Sequence, residues 1–178
     1  MKLAYADPPY IGQAKKHYSH DPRCAEVDHA ELIAKLETFD GWALSAGNNL
    51  ASWRVIMPLL PDGVRVCAWV KPFASFKPNV TLAYAWEPIF IKPSRAIPRT
   101  EPTCRDWVAE NITLKKGLAG AKPPAVCRWL FRAMGADKSD TFLDMYPGTE
   151  IVGNMWNAFC GNVETQGDLF PPRLDALI

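Results

Sequence analysis

The chain has 178 residues, 48% of them hydrophobic, which is enough apolar material for one core, and no break in composition marks a second domain, so a single α/β domain over 1–178 is expected. A formal net charge of +1 excludes a protein that holds nucleic acid by overall charge alone. Five cysteines, odd in number, far apart and without CxxC spacing, argue against both a zinc site and a disulfide framework, and the histidines His17, His20 and His29 have no metal-ligand spacing.

The amino terminus carries one lysine and passes straight into a short apolar run, so neither a signal peptide nor a spanning helix is expected, and the protein is read as soluble and cytoplasmic. Residues 3–11, LAYADPPYI, read as a strand stopped at its carboxyl end by Asp7: Pro8 and Pro9 remove two backbone donors and fix two φ angles. Residues 11–27 form a polar surface loop with the bases Lys15 and Lys16. DHAELIAKLETF follows as a helix with Asp28 as N-cap and Glu31 three residues on. WALSAG is a buried strand, and NNLASWRVIMPLL a helix capped by Asn48 or Asn49 and ended near Pro58.

VRVCAWVKP and LAYAWEPIFIKP read as two strands, the first alternating so that Val64, Val66, Ala68 and Val70 share a side. Between residues 64 and 100 the bases Arg65, Lys71, Lys77, Lys92, Arg95 and Arg99 face one acid, Glu87; this is either a solvated face or a phosphate-facing patch. Residues 94–121 are expected as loop with one short helix. PPAVCRWLFRAMG is a helix with Gly135 at its C′ position, TFLDMYPG a strand entering a glycine turn, TEIVGNMWNAFCG a helix stopped by Gly161, and NVE one more short strand before a tail at 165–178. Strands alternating with helices imply a mostly parallel sheet covered on both faces, with the ligand site at the strands' carboxyl ends.

Two strand ends carry unusual chemistry: ADPPY at 6–10 and LDMYPGTE at 143–150. In the second, Gly148 permits a close backbone approach, and Asp144 can accept hydrogen bonds from an ammonium group. DPPY resembles the catalytic motif of amino-group methyltransferases dependent on S-adenosylmethionine, especially the N6-adenine type, and FLDMYPGTEIVG is similar to their cofactor motif D-x-F-x-G-x-G. The order, catalytic motif before cofactor motif, matches the beta arrangement of that family. WVKP, AWEPIFIKP and KPPAVCRWLF are similar to the strand pair after the catalytic motif and to the helix before the cofactor strand, so the likeness covers about residues 1–160.

The resemblance implies a Rossmann-like methyltransferase fold with an antiparallel strand pair in a mostly parallel sheet, S-adenosylmethionine as cofactor, no metal, and adenine N6 in DNA as the target. It implies a prokaryotic or phage-infected cell as the setting. RNA adenine, cytosine N4 and a non-catalytic nucleic-acid-binding subunit are the alternatives. Asp7, Pro8, Pro9 and Tyr10 are the expected catalytic residues. Asp7, Pro123, Asp144, Tyr146, Gly148, Thr149, Glu150 and Glu164 are the expected cofactor contacts, and Lys15, Lys16, Lys71 and Arg95 the expected substrate contacts. The family pattern has glycine where this chain has Glu150. The region up to residue 121 is too short for a large target-recognition domain, so specificity is expected to be low, built from loops, or supplied by a homodimer partner or a separate specificity subunit.

The residues make a physical case beside the resemblance. An exocyclic amine on adenine is a poor nucleophile because its lone pair is delocalised. Acceptance of its two N–H bonds by the Asp7 carboxylate and the Pro8 carbonyl favours a pyramidal nitrogen, with charge-assisted bonds that strengthen as positive charge develops. Tyr10 offers a stacking face, worth roughly 1–3 kcal/mol per base.

Overall fold

The computed structural model describes residues 1–11, 27–73, 79–113 and 121–161. Among these residues, six strands and four α-helices follow one another: β1 (Lys2–Ala6), α1 (His29–Leu36), β2 (Gly41–Ser45), α2 (Leu50–Ile56), β3 (Arg65–Val70), β4 (Trp86–Lys92), β5 (Trp107–Ala109), α3 (Pro124–Ala133), β6 (Thr141–Asp144) and α4 (Ile151–Cys160). The helix starts follow from local chemistry. The Asp28 carboxylate accepts from the amides of Ala30 and Glu31 at 2.9 and 3.1 Å, and the Asn49 side chain accepts from Ser52 N at 3.0 Å. A 3₁₀ turn at Met57–Leu59 carries α2 onto Pro58 and out of the helix.

The sheet order is β5-β3-β4-β2-β1-β6. β1 pairs in parallel with β2 and β6, and β3 with β5, whereas β4 runs antiparallel to both β2 and β3. Only β4 is therefore reversed, and its amino end, Trp86 and Glu87, lies at the edge where the other five strands have their carboxyl ends. That reversal decides which residues can meet.

Alternation along β1 sends Leu3 and Tyr5 to one face and Ala4 and Ala6 to the other. The first face packs with Trp69, Ile89 and Ile91 beneath α3 and α4, through Leu130, Phe131, Met134, Val152, Met155 and Trp156. Phe131 is the centre of this layer, edge-on to Phe142 and Trp156 at 5.4 and 5.2 Å between ring centroids. The second face packs Trp42, Leu44 and Phe90 against Leu32, Ile33 and Leu36 of α1 and Ile56 of α2. Ala4 and Ala6 are small where Trp42 is large. Each such fully buried large side chain contributes about 1.5–3 kcal/mol of transfer free energy. Helices on both faces and a mostly parallel sheet match the expected fold class.

The structure departs from the sequence expectations in two places. Between 94 and 113 no helix forms among the described residues; Trp107–Ala109 adds instead to the edge of β3, with Ala68 N bonded to Asp106 O at 2.9 Å and the Trp69 indole to Glu110 O at 2.8 Å. Trp69 needed an acceptor for its buried N–H, and that short strand supplies it. Val66, Ala68 and Val70 do share a side of β3, as the alternation predicts; the buried side is Cys67 and Trp69, while Val66 is 41% exposed, because α1 and α2 cover β1, β2 and β4. Finally, α4 starts at Ile151 and not at Thr149, since Glu150 stands at the N-cap with φ 59°. The loop lysines Lys15 and Lys16, the NVE strand with Glu164, and the tail lie outside the described residues.

Candidate active site

Asp7 leaves the end of β1, an interior strand between β2 and β6, and is followed by buried Pro8 and by Pro9 and Tyr10, both partly covered. One strand over, the register sets Asp144 opposite Tyr5 at the end of β6, so the two carboxylates project from adjacent strand ends. Tyr146 N donates to Asp144 Oδ1 at 3.1 Å. Burial pushes the Asp144 carboxyl above its usual range, the Tyr146 amide pulls it back, and the nearby Asp7 charge pushes it up again. Two of the predicted residues thus stand together, with no cation paired to Asp144 among the described residues.

Two residues that sequence reasoning did not place in the site complete it. Lys122, the residue before Pro123 at the start of α3, is buried, and its ammonium lies 3.0 Å from Asp7 Oδ2 and 3.3 Å from Glu87 Oε2. Glu87, at the reversed end of β4, also accepts from the Tyr10 hydroxyl at 2.9 Å and pairs with Lys71. The ammonium groups of Lys71 and Lys122 lie over the Trp69 ring, 4.6 and 5.1 Å from its centroid. Burial alone raises the Glu87 carboxyl, but the charges of Lys122 and Lys71 and the bonds from Lys71 and Tyr10 hold it below its usual range. Burial opposes a charged Lys122, yet Asp7 and its other neighbours hold its ammonium well above the ordinary lysine range. One signal for Glu87 was visible: it is the single acid in a basic stretch.

Below this cluster, Tyr5 and Ser45 share a hydrogen bond of 2.8 Å that ties β1 to β2. Beside it, Gly47 brings the loop after β2 against Tyr10; a Cβ there would stand 2.7 Å from Asn49 Nδ2, 3.0 Å from Ser52 Oγ and 3.4 Å from Tyr10 Cβ. Pro123 is buried, and its carbonyl accepts from Val126 N and Cys127 N at 3.0 and 3.2 Å, fixing Lys122 at the head of α3.

The turn after β6 is open. Pro147, Gly148, Thr149 and Glu150 are exposed, Gly148 has φ 42°, and the nearest atom to a Cβ built there is 3.7 Å away. Glu150 takes up the left-handed backbone that a glycine would favour, without a side-chain cap to the helix. A half-buried carboxylate with no cation paired to it among the described residues, beside a turn whose backbone a ligand can approach, fits the ammonium and carboxylate of an amino-acid moiety. Among the described residues, no three His, Cys, Asp or Glu side chains are grouped to hold a metal ion.

The structure does not bring Arg95 to this edge. It follows the far end of β4, where its guanidinium bonds Asp140 Oδ1 at 2.7 Å, and the Met1 ammonium bonds the same oxygen at 2.7 Å. Lys71 is at the site, but as a partner of Glu87, its side chain 12% exposed.

No family model matches the chain, and no curated protein matches its sequence. The fold does match solved structures. A crystal structure of the M1.HpyAVI–SAM complex aligns with a TM-score of 0.56 at 15% identity, over 89% of this chain and 78% of the other. A crystal structure of M1.HpyAVI aligns with a TM-score of 0.52 at 14% identity, over 89% and 77%. At these identities the likeness is one of fold. No helix among the described residues is long and apolar enough to cross a membrane.

Proposed function

We propose that the chain is an S-adenosylmethionine-dependent methyltransferase that acts on the N6 amine of adenine in DNA. The observation that carries this reading is the pair of carboxylates at adjacent strand ends: Asp7, neighboured by Tyr10 and Lys122, and Asp144 beside the open Gly148 turn. The fold shared with M1.HpyAVI, solved in complex with SAM, supports it.

In this reading Asp144 takes the cofactor's ammonium group and the Gly148 turn admits its amino-acid end. When bound, the cofactor supplies an electrophilic methyl group on a sulfonium centre. Asp7 and the Pro8 carbonyl accept the two N–H bonds of the target amine, leaving its lone pair free to point at that centre, and Tyr10 stacks on the base. The target must leave its duplex or be single-stranded already, at about a few kcal/mol for a paired base.

Radiolabelled methyl transfer to DNA, RNA and protein, followed by nucleoside analysis, tests the proposal. N6-methyladenine in DNA is expected. Label in RNA adenine or on cytosine N4 would overturn the substrate, and absence of transfer to every pool together with absence of cofactor binding by calorimetry would overturn the enzyme.

A further inference from the structure

Tyr10 is tied to the sheet through its hydroxyl, which donates to Glu87 Oε2 at 2.9 Å. The same carboxylate oxygen is 3.3 Å from Lys122, and Oε1 takes Lys71. Three donors take three of the roughly four acceptor sites of Glu87, and two of those donors are ammonium groups that hold it ionised, so with its side chain only 16% exposed it is poorly suited to act as a base. Stacking by itself would be served as well by phenylalanine, so the Tyr10 hydroxyl calls for a separate purpose, and its bond to Glu87 supplies one.

We propose that Glu87 is a positioning residue: through the Tyr10 hydroxyl and the shared Lys122 ammonium, it couples the orientation of the stacking ring to that of the Asp7 carboxylate. The inference rests on the reading of Asp7 and Tyr10 as the residues that meet the target base. Tyr10, Glu87, Lys122 and Asp7 form one chain of polar contacts of 2.9, 3.3 and 3.0 Å, drawn from β4, the head of α3 and the turn after β1. Loosening one link therefore releases both substrate-facing groups, and a misplacement of about 1 Å at reacting groups lowers a rate by about 100-fold. Lys71 braces the opposite oxygen and Trp69 floors both ammonium groups, which leaves Glu87 little freedom to follow a displaced partner.

The test combines Tyr10→Phe, Glu87→Gln and the double variant, each checked for folding by circular dichroism, with two readouts. In methyl-transfer kinetics each single variant is expected to lower kcat roughly tenfold or more, with KM for the cofactor held within about twofold, and the double variant to be no worse than the worse single one. In spectra of ¹³C-tyrosine-labelled protein, Glu87→Gln is expected to move the Tyr10 ring signals toward those of a freely rotating ring, while those of Tyr5, bonded to Ser45, stay in place. Additive kcat losses, or Tyr10 signals unchanged by Glu87→Gln, would overturn the proposal. Should Glu87→Gln not fold, Glu87→Asp keeps the charge and withdraws the carboxylate by one methylene, with the same Tyr10 release expected. If the unsubstituted protein transfers no methyl group, the proposed function fails, and the Tyr10 signals still decide whether Glu87 fixes the ring.

Discussion

The ammonium of Lys122 stands 3.0 Å from Asp7 Oδ2 with only 7% of its side chain exposed, so the carboxylate at the centre of the site is paired with a buried cation from the head of a distant helix. Removing that cation leaves Asp7 without its ion-pair partner and Glu87 with one fewer. Lys122→Met is therefore expected to cost about 3–5 kcal/mol in urea unfolding at neutral pH, the range for breaking one side of a buried pair. Because Glu87 is held below its usual carboxylate range, its contribution to stability is present above that range and fades as pH falls. The gap between the variant and the unsubstituted protein should narrow in acid; a loss below about 1 kcal/mol would mean the pair is solvent-screened.

Asp144 carries the opposite sign. Its folded carboxyl lies above the usual range because of burial, so its contribution favours folding only at low pH and is lost as pH rises through the folded value. At neutral pH the ionised group is a cost, and Asp144→Asn should raise the Tm of the ligand-free protein while keeping an acceptor for the Tyr146 amide. The gain should vanish below the ordinary aspartate range, near pH 4. Calorimetry should show cofactor binding lost or much weakened, and weakened more than binding of the neutral thioether product.

Glu150 sits at φ 59°, a backbone region that costs an L-residue roughly 1–2 kcal/mol, against an entropic penalty of about 0.5–1 kcal/mol for glycine in a fixed conformation. Glu150→Gly should stabilise by a few tenths to about 1 kcal/mol in guanidinium midpoint with an unchanged m-value. A destabilised variant would show that the Glu150 charge at the start of α4 outweighs its strained backbone.

Arg95 is expected to matter for folding and not for nucleic acid. Burial alone raises the Asp140 carboxyl, but Arg95, the Met1 ammonium and the Asp137 amide bring it below its usual range, so this cluster stabilises above that range and fails in acid. Arg95→Ala should cost about 1–3 kcal/mol at pH 7, the penalty for an under-satisfied buried group, and flatten the acid limb of the stability curve. The salt dependence of DNA binding should be unchanged; a shallower slope would return Arg95 to a phosphate contact.

Much of the fold could be read in advance because its signals are local: Asp28 and Asn49 cap helices within three residues, and β1 ends just before Pro8–Pro9 while β6 runs into the turn that holds Gly148. Asp7 and Asp144 could be assigned to one edge because parallel strands put their carboxyl ends together. Lys71 and Arg95, by contrast, belong to one basic stretch in sequence yet sit at opposite ends of the sheet, since the seven residues of β4 at about 3.4 Å each separate them. Lys122 gave no such local signal, and Glu87 only that of a single acid in a basic stretch. Only the reversal of β4 and the docking of α3 bring an acid and a base from distant segments onto Asp7, and no periodicity records a tertiary contact of that kind.

Single-turnover methyl transfer to DNA, compared between the unsubstituted protein and Asp7→Ala at saturating cofactor and with cofactor affinity measured alongside, bears most directly on the role given to the β1 strand end. N6-methyladenine is expected from the unsubstituted protein, with a rate lowered at least about 100-fold in Asp7→Ala, as for loss of a charge-stabilising group, and cofactor affinity largely retained. A variant that transfers methyl groups at the unsubstituted rate would contradict that role.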